Sequence, residues 1–361
     1  MNIKYNEYLD NLIVYKPGKP IEETERELNI KVFAKLASNE NPLGTSEKVK
    51  QAISSTLNKI NLYPDAGCFY LKNKISQFYN IPEDWIMVGP GSEYLLRLIA
   101  LSFFQPDDEI IMSEYPFILY KINAQLMKAK AITIKPKNFI DDFAAMVDAI
   151  TDKTKAIFVA NPNNPLGSYI SKDIIEKYID KIPENILLVF DEAYKEYVWQ
   201  DDYPNSFEYL KNKKNIIILQ TFSKIYGLAG LRVGYGFAHP EIINLINKVK
   251  NVFDVSMPAQ AAAIAALDDQ DFVKKSKELN KTEYEYISKK LDEKGIVYVP
   301  SQTNFILIDT KKDGNEIFDY LLKKGIIVRP MKGYHLDSFI RVTIGTREQN
   351  KKFLEYLFEI L

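Results

Sequence analysis

Residues 220–236 read QTFSKIYGLAGLRVGYG and place one lysine, Lys224, in an apolar, glycine-rich stretch. The preceding residues, 215–220, are almost continuously apolar and β-branched, which predicts a strand buried on both faces of a parallel sheet. Lys224 therefore lies just beyond the carboxyl end of a buried strand, where open α/β sheets bind their ligands. Loss of hydration there favours the neutral amine, so Lys224 is a candidate nucleophile for a carbonyl group.

Arg232 follows Lys224 eight positions later, across Gly227 and Gly230. This spacing allows the guanidinium to return towards the lysine and to hold an anion through two hydrogen bonds. A surface loop with a solvated lysine and arginine would also fit, because short motifs match by chance. The choice between the two interpretations depends on what the rest of the chain contributes.

The composition is typical of a soluble globular enzyme, with 46% hydrophobic and 26% charged residues in a chain of 361. The net charge of −1 argues against nucleic-acid binding. No apolar run is long enough to span a membrane, and residues 1–7 do not form a signal peptide, so we expect a cytoplasmic protein. One cysteine, Cys68, excludes an internal disulfide, and with two histidines a metal site is not expected.

Helical and strand patterns alternate between residues 46 and 250, which predicts an α/β fold with a large, mostly parallel, seven-stranded sheet covered by helices. The later part of the chain instead predicts a smaller α+β unit that begins with a long helix. We expect an N-terminal arm with part of the small domain (1–45), a large domain (46–250) and a small C-terminal domain (251–361). The strand candidates of the large domain are residues 85–88, 109–112, 131–134, 155–160, 186–190, 215–220 and 231–238.

Two turns that follow predicted strands are candidate ligand sites. Residues 89–93 read GPGSE and open a predicted helix, whose free backbone amides and positive dipole end suit a phosphate. An ordinary turn capped by Ser92 would have the same sequence. Residues 161–167 read NPNNPLG, and their asparagines, Asn164 among them, either point into a cleft as neutral donors or serve the turn alone.

Two charged residues are predicted to be buried. Asp191 ends a very apolar strand, with Tyr194 three residues later, and a buried carboxylate needs a cationic partner such as an arginine or a protonated heterocycle. A helix N-cap is the alternative for Asp191. Arg341 lies within the apolar residues 338–345, which implies either a buried acid or a carboxylate ligand, and we favour the ligand.

Taken together, these residue types at strand ends resemble those of the fold-type I pyridoxal-phosphate enzymes. The chain is similar to the histidinol-phosphate aminotransferase family over nearly its whole length. The segments that carry the resemblance are residues 15–20 (YKPGKP), 39–44 (NENPLG), 62–65 (LYPD), 221–236 and 340–346 (IRVTIGT).

The resemblance implies a pyridoxal 5′-phosphate site and a role for each matching residue. Lys224 would bind the cofactor covalently and move the proton during amino transfer. Asp191 would keep the ring nitrogen protonated, and Tyr194 and Asn164 would hydrogen-bond the ring oxygen. The other cofactor-binding residues implied are Gly91, Ser92, Glu93, Phe117, Ser223, Arg232 and, from the second subunit of a homodimer, Tyr63.

The resemblance also implies the substrates. Arg341 would bind a carboxylate of L-glutamate or 2-oxoglutarate, while Tyr15 and Arg329 would meet the phosphate of the second substrate. Asn41 is a further expected substrate-binding residue. The expected reaction moves an amino group between L-glutamate and a small phosphorylated ketone, with histidinol phosphate and imidazole-acetol phosphate as the pair.

Three alternative functions fit parts of the same pattern. An aminotransferase for another phosphorylated ketone, such as dihydroxyacetone phosphate, would keep every motif named above. A phosphoserine or phosphothreonine decarboxylase would differ in which bond of the substrate lies perpendicular to the cofactor ring, and the sequence does not reveal this. A non-catalytic transcription regulator would need a basic helix-turn-helix extension, for which the chain has neither the length nor the charge.

Overall fold

The computed structural model describes residues 3–4, 9–10, 12, 14, 18 and 20–361. The strands are β1 Ala34–Lys35, β2 Ile86–Gly89, β3 Glu109–Ser113, β4 Lys130–Ile134, β5 Thr154–Ala160, β6 Leu187–Asp191, β7 Ile216–Thr221, β8 Gly234–Ala238, β9 Tyr298–Val299, β10 Phe305–Asp309, β11 Ile326–Ile327, β12 Arg329–Pro330 and β13 Phe339–Thr343. The helices are α1 Ile21–Leu28, α2 Glu47–Ser54, α3 Phe69–Tyr79, α4 Ser92–Phe103, α5 Ile118–Leu126, α6 Phe143–Asp148, α7 Lys172–Tyr178, α8 Ser206–Asn212, α9 Pro240–Asn247, α10 Met257–Asp268, α11 Gln270–Glu293, α12 Gly314–Lys323 and α13 Arg347–Ile360.

The large sheet has seven strands in the order β2-β8-β7-β6-β5-β3-β4. Strand β8 runs antiparallel to both of its neighbours, β2 and β7. The remaining neighbours pair in parallel. The predicted mostly parallel, seven-stranded sheet is confirmed. Since β2 and β7 point the same way, the carboxyl ends of β2, β5, β6 and β7 meet at one edge.

The centre of the sheet is buried on both faces, as its apolar strands predict. Phe190 and Ile218 point into one apolar cluster, whereas their neighbours Val189 and Ile217 point into the other. Helices α2, α3 and α10 contribute to the first cluster, and α4, α5 and α9 to the second. Because successive strand residues face opposite layers, both layers need apolar residues and the strand sequence shows no polar alternation.

The C-terminal part of the chain builds a second sheet, β12-β13-β10-β9, whose neighbours are all antiparallel. Helices α12 and α13 and the end of α11 pack against it. Strand β1, from the N-terminal part, pairs in parallel with β11 beside this sheet. The domain boundaries at residues 45 and 250 stay a prediction. Within the described residues, no helix combines the length and apolar character that crossing a membrane requires.

The predicted strand at residues 231–238 begins three residues late, at Gly234. Residues Ala229–Leu231 form a short 3₁₀ turn, and Arg232 adopts a left-handed backbone with φ of 53°. The apolar residues Leu231 and Val233 extend the strand-like pattern beyond the strand itself. The turn returns the Arg232 side chain to the sheet edge, which an extended strand would not do.

The loop that follows β7 packs closely on the turn before α2. The Asn41 amide donates a hydrogen bond to the Ile225 carbonyl at 2.7 Å, and the Thr45 hydroxyl donates to the Gly227 carbonyl at 2.7 Å. Gly227 has a φ of +70°, and a Cβ atom there would lie 2.1 Å from the Gly44 carbonyl oxygen. This approach therefore requires glycine, both for its conformation and for its lack of a side chain.

We expect Gly227→Ala to lower the free energy of unfolding by more than about 1 kcal/mol, because the side chain collides with backbone and the φ is unfavourable. Gly230→Ala is the matched control three residues away, since a Cβ there meets no heavy atom within 4 Å. Urea denaturation of the two variants measures the difference. An equal loss in both would contradict the close packing.

Candidate active site

A cavity of about 250 Å³ lies at the edge of the large sheet where β2, β5, β6 and β7 end. The predicted site residues that line it are Ser92, Glu93, Phe117, Asn164, Asp191, Tyr194, Ser223, Lys224 and Arg232. A second cavity of about 170 Å³ shares Glu93, Phe117, Asn164, Tyr194 and Lys224 with the first and extends to Arg329, Tyr334 and Arg341. The two cavities adjoin, with Lys224 on the boundary.

Lys224 is largely buried, and its side chain faces both cavities. The amine donates a hydrogen bond to the Ser38 carbonyl at 3.3 Å and lies 5.6 Å from the centre of the Tyr194 ring. Burial, together with the positive charge of Arg341, lowers the pKa of Lys224 from 10.5 to about 8. A solvated surface loop does not describe this residue, because its environment favours the neutral, nucleophilic amine.

Asp191 is the last residue of β6 and is only 6% exposed. Its Oδ2 atom accepts a hydrogen bond from the Tyr120 hydroxyl at 2.7 Å, and Oδ1 accepts one from the Ala193 amide at 3.3 Å. Burial raises the pKa of Asp191 to about 6. No α-helix begins at this residue, so the helix-cap alternative does not hold, and the carboxylate is available to a cationic group in the cavity.

A hydrogen-bonded group of side chains stands between the two cavities. The Tyr194 hydroxyl accepts a hydrogen bond from the Asn39 amide at 2.8 Å. Arg341 donates to Asn164 Oδ1 through Nη1 and to the Ala37 carbonyl through Nη2 at 3.0 Å. These contacts hold the guanidinium at the cavity wall, where a carboxylate would find two planar donors.

The other end of the first cavity is an anion cradle built on the start of α4. Gly91 has a φ of +89°, and a Cβ atom there would lie 2.5 Å from Arg232 Nη2. The Arg232 guanidinium lies 3.6 Å from the Glu93 carboxylate. Ser92 makes no side-chain cap, since Gly91 is the N-cap residue, so the Ser92 hydroxyl remains on the cavity. Helix amides, hydroxyls and a guanidinium together form a donor set that suits a phosphate.

The side chains of two predicted site residues line neither cavity, and a third residue is not among the described residues. Tyr63 is 80% exposed, stacks on Phe253 with 4.6 Å between the rings, and lines neither cavity. Asn41 also lines neither cavity, because its amide is bonded to the Ile225 carbonyl and to the Ser276 hydroxyl. Tyr15 lies outside the described residues.

Residues that the sequence did not single out also contribute to the site. Tyr120 donates a hydrogen bond to Asp191, yet it lies in the apolar helix α5, where the sequence pattern predicts a core residue. Asn39 belongs to residues 39–44, one of the segments that carry the family resemblance, but that segment does not show which of its side chains reaches the site. Its hydrogen bond to Tyr194 crosses 155 positions of sequence, so only the fold brings the two together.

Sequence comparison finds relatives that match nearly the whole chain. The family model for aminotransferase class I and II matches residues 31–357. A histidinol-phosphate aminotransferase of Moorella thermoacetica is 45% identical over 359 residues, which cover 99% of this chain and 93% of that protein. The enzyme of the same name from Caldicellulosiruptor saccharolyticus is 43% identical over 99% of this chain and 100% of its own length.

Structural comparison finds the same architecture in solved proteins. Histidinol-phosphate aminotransferase from Sinorhizobium meliloti, solved in complex with pyridoxal-5′-phosphate, has a TM-score of 0.90 and 27% identity, with 99% of this chain and 98% of that chain covered. Thermus thermophilus aspartate aminotransferase with maleate has a TM-score of 0.86 and 21% identity over 99% of this chain and 100% of that one. The second likeness bears on the fold alone.

We expect Lys224→Met to stabilise the cofactor-free protein near neutral pH by on the order of 1 kcal/mol, because it removes a buried amine. The pKa of this amine is lowered from 10.5 to about 8, so the cost of burying it is fully present below about pH 8. The advantage of the variant should therefore shrink as the pH rises towards 10.5. Urea denaturation across this pH range, with the exposed Lys153→Met as control, measures it. An advantage that does not change with pH would contradict the lowered pKa.

Proposed function

Because the chain belongs to the class I and II aminotransferase family, we propose that this aminotransferase uses pyridoxal 5′-phosphate to move an amino group between L-glutamate and a small phosphorylated ketone. Its fold is that of the fold-type I aminotransferases. The pair that we favour is histidinol phosphate and imidazole-acetol phosphate, the substrate for which its relatives are named. The observation that carries the proposal is a buried lysine between an anion cradle and a cavity with two arginines.

The residues at the sheet edge fit the cofactor group by group. Because Gly91 has no side chain, the Arg232 guanidinium lies directly against its backbone, and Arg232, Ser92 and Ser223 line the cavity as donors for a phosphate. Asp191 is a buried carboxylate that would pair with a protonated ring nitrogen. When bound, the cofactor supplies an electron sink for the bond broken at the substrate α-carbon.

The side chains around that bond supply binding and proton transfer. Lys224 Nζ would take the proton from the α-carbon of the amino donor and would deliver a proton to the α-carbon of the acceptor in the second half-reaction. Its pKa of about 8 suits a base near neutral pH. Tyr194, held by Asn39, would hydrogen-bond the ring oxygen together with Asn164. Phe117 lines both cavities and would pack on the ring face. These contacts would fix the ring so that the α-carbon stays beside Lys224.

The second cavity fits substrates with two anionic ends. Arg329 and Arg341 are direct partners across the β12–β13 pair, and both line this cavity. Arg341 would bind a carboxylate of L-glutamate, and Arg329 would bind the phosphate of the phosphorylated ketone. Met331 and Tyr334 complete the wall and would contact an uncharged ring.

We also propose a homodimer in which Tyr63 reaches the cofactor phosphate of the partner subunit. Tyr63 and its neighbour Leu62 are 80% and 59% exposed, and Val252 beside Phe253 is 70% exposed. Large apolar side chains that lie together at a surface mark protein contacts. Stacking on Phe253 orients Tyr63 while leaving its hydroxyl end accessible to a partner.

The proposed reaction predicts that L-glutamate converts the bound cofactor to its pyridoxamine form. The change in visible absorbance measures this conversion. With a panel of acceptors, kcat/KM for imidazole-acetol phosphate should exceed that for dihydroxyacetone phosphate by more than about tenfold, since a site shaped for a ring gains little from a smaller ketone. Unphosphorylated imidazole-acetol is the matched control. Release of CO₂ from phosphoserine without amino transfer from glutamate would contradict the proposal.

The two arginines should separate the substrates kinetically. We expect Arg341→Gln to lower kcat/KM for glutamate more than for the phosphorylated ketone, and Arg329→Gln to do the reverse, each by more than about tenfold. Steady-state kinetics of both half-reactions measures the two ratios. Arg97→Gln, an exposed arginine on α4 outside the second cavity, is the control. Equal losses for both substrates in both variants would contradict separate roles.

A further inference from the structure

A second buried acid follows directly after Asp191. Glu192 is 1% exposed, and its Oε2 atom accepts a hydrogen bond from Gln220 Nε2 at 2.9 Å and lies 3.2 Å from Lys195 Nζ. The Glu192 backbone amide also donates to the Leu219 carbonyl at 2.8 Å. Burial of a carboxylate is costly, and the proton transfer described above does not use this one. Its position therefore needs a separate explanation.

The partner of Glu192 belongs to the strand that leads to Lys224. Gln220 is 0% exposed and lies in β7, four positions before the lysine. Its Oε1 atom accepts a hydrogen bond from the Tyr79 hydroxyl at 2.7 Å, and that hydroxyl also bonds to the Tyr235 hydroxyl at 2.7 Å. One chain of buried and partly buried hydrogen bonds thus joins α3, β8 and β7 to the residue that follows β6.

The charge of Glu192 acts on the same neighbourhood. Burial, with a smaller contribution from the negative charge of Glu192, raises the pKa of Asp191 to about 6 and that of Glu196 to about 7. The other titratable groups around Glu192 are Lys195, Tyr79 and Tyr203. A fixed negative charge beside Asp191 favours a positive charge on any group that Asp191 binds.

We propose that Glu192 is a positioning residue for amino transfer: through Gln220 it joins the ends of β6 and β7 and so sets where Asp191 lies relative to Lys224. This inference rests on the proposed function, because Asp191 and Lys224 receive their roles there. Misplacement of a reacting group by about 1 Å can lower a rate about a hundredfold. A bond one residue from Asp191 therefore controls the rate without touching the substrate.

The test compares Glu192→Gln with Glu196→Gln. Both replace an acid in the same region, Glu192 being buried and Glu196 partly buried, but it is Glu192 that is bonded to Gln220. In the holoenzyme we expect Glu192→Gln to lower kcat about tenfold with KM for glutamate changed less than about twofold, and to shift the pH midpoint of the cofactor's visible absorbance. Glu196→Gln should leave kcat and this midpoint unchanged, whatever its melting temperature.

A swap of the two side chains adds a rescue. The double variant Glu192→Gln/Gln220→Glu restores a carboxylate–amide pair across the same two strands, and we expect it to recover most of the kcat lost in Glu192→Gln. Gln220→Met removes the same hydrogen bond by changing its β7 partner, and it should lower kcat as Glu192→Gln does. This variant still tests the proposal if Glu192→Gln fails to fold.

Three results would overturn the role of Glu192: unchanged kcat and absorbance in Glu192→Gln, equal effects in Glu196→Gln, or no recovery in the swap. Failure of the proposed function is a different result. A wild-type protein that binds the cofactor but transfers no amino group from glutamate would contradict that function. The absorbance midpoints, which need no substrate, would still decide whether Glu192 acts on the site.

Discussion

Burial of the Lys224 amine is the constraint on which the rest of the site depends. An ammonium group in this position loses hydration, and the pKa falls to about 8. The chain keeps the amine there through a close-packed loop, in which Gly227 lies against Gly44, and through a hydrogen bond to Ser38. The same burial raises the pKa of Asp191 to about 6. One desolvated region thus produces both an amine that loses its proton more readily and an acid that needs a cationic partner.

The sheet topology arranges the chemistry around that amine. Parallel strands bring their carboxyl ends to one edge, so segments far apart in sequence contribute side chains to one cavity. The antiparallel strand β8 adds its starting end to the same edge, which brings Arg232 to the anion cradle. The C-terminal sheet supplies the two arginines of the adjoining cavity. In the proposed function, cofactor binding and substrate binding therefore fall to different parts of the chain that meet at Lys224.

Much of the fold could be predicted from the sequence because the buried strands leave a direct pattern. Strand β7 is apolar without alternation, and this alone indicates burial on both faces. The apolar pattern predicted the ends of strands less reliably. Leu231 and Val233 look like strand residues, yet β8 starts at Gly234. Local turn geometry decided that boundary, since Arg232 adopts a left-handed conformation that apolar periodicity does not report.

The sequence by itself singled out Lys224, the acid at the end of β6, the glycine turn and the family resemblance, because each lies in a short segment with local constraints. Only the tertiary structure decided which side chains contact them. Tyr120 bonds to Asp191, Asn39 to Tyr194 and Gln220 to Glu192 across loops and strands that no local pattern connects. Hydrogen bonds between distant segments depend on how the layers pack, and packing is a property of the whole chain.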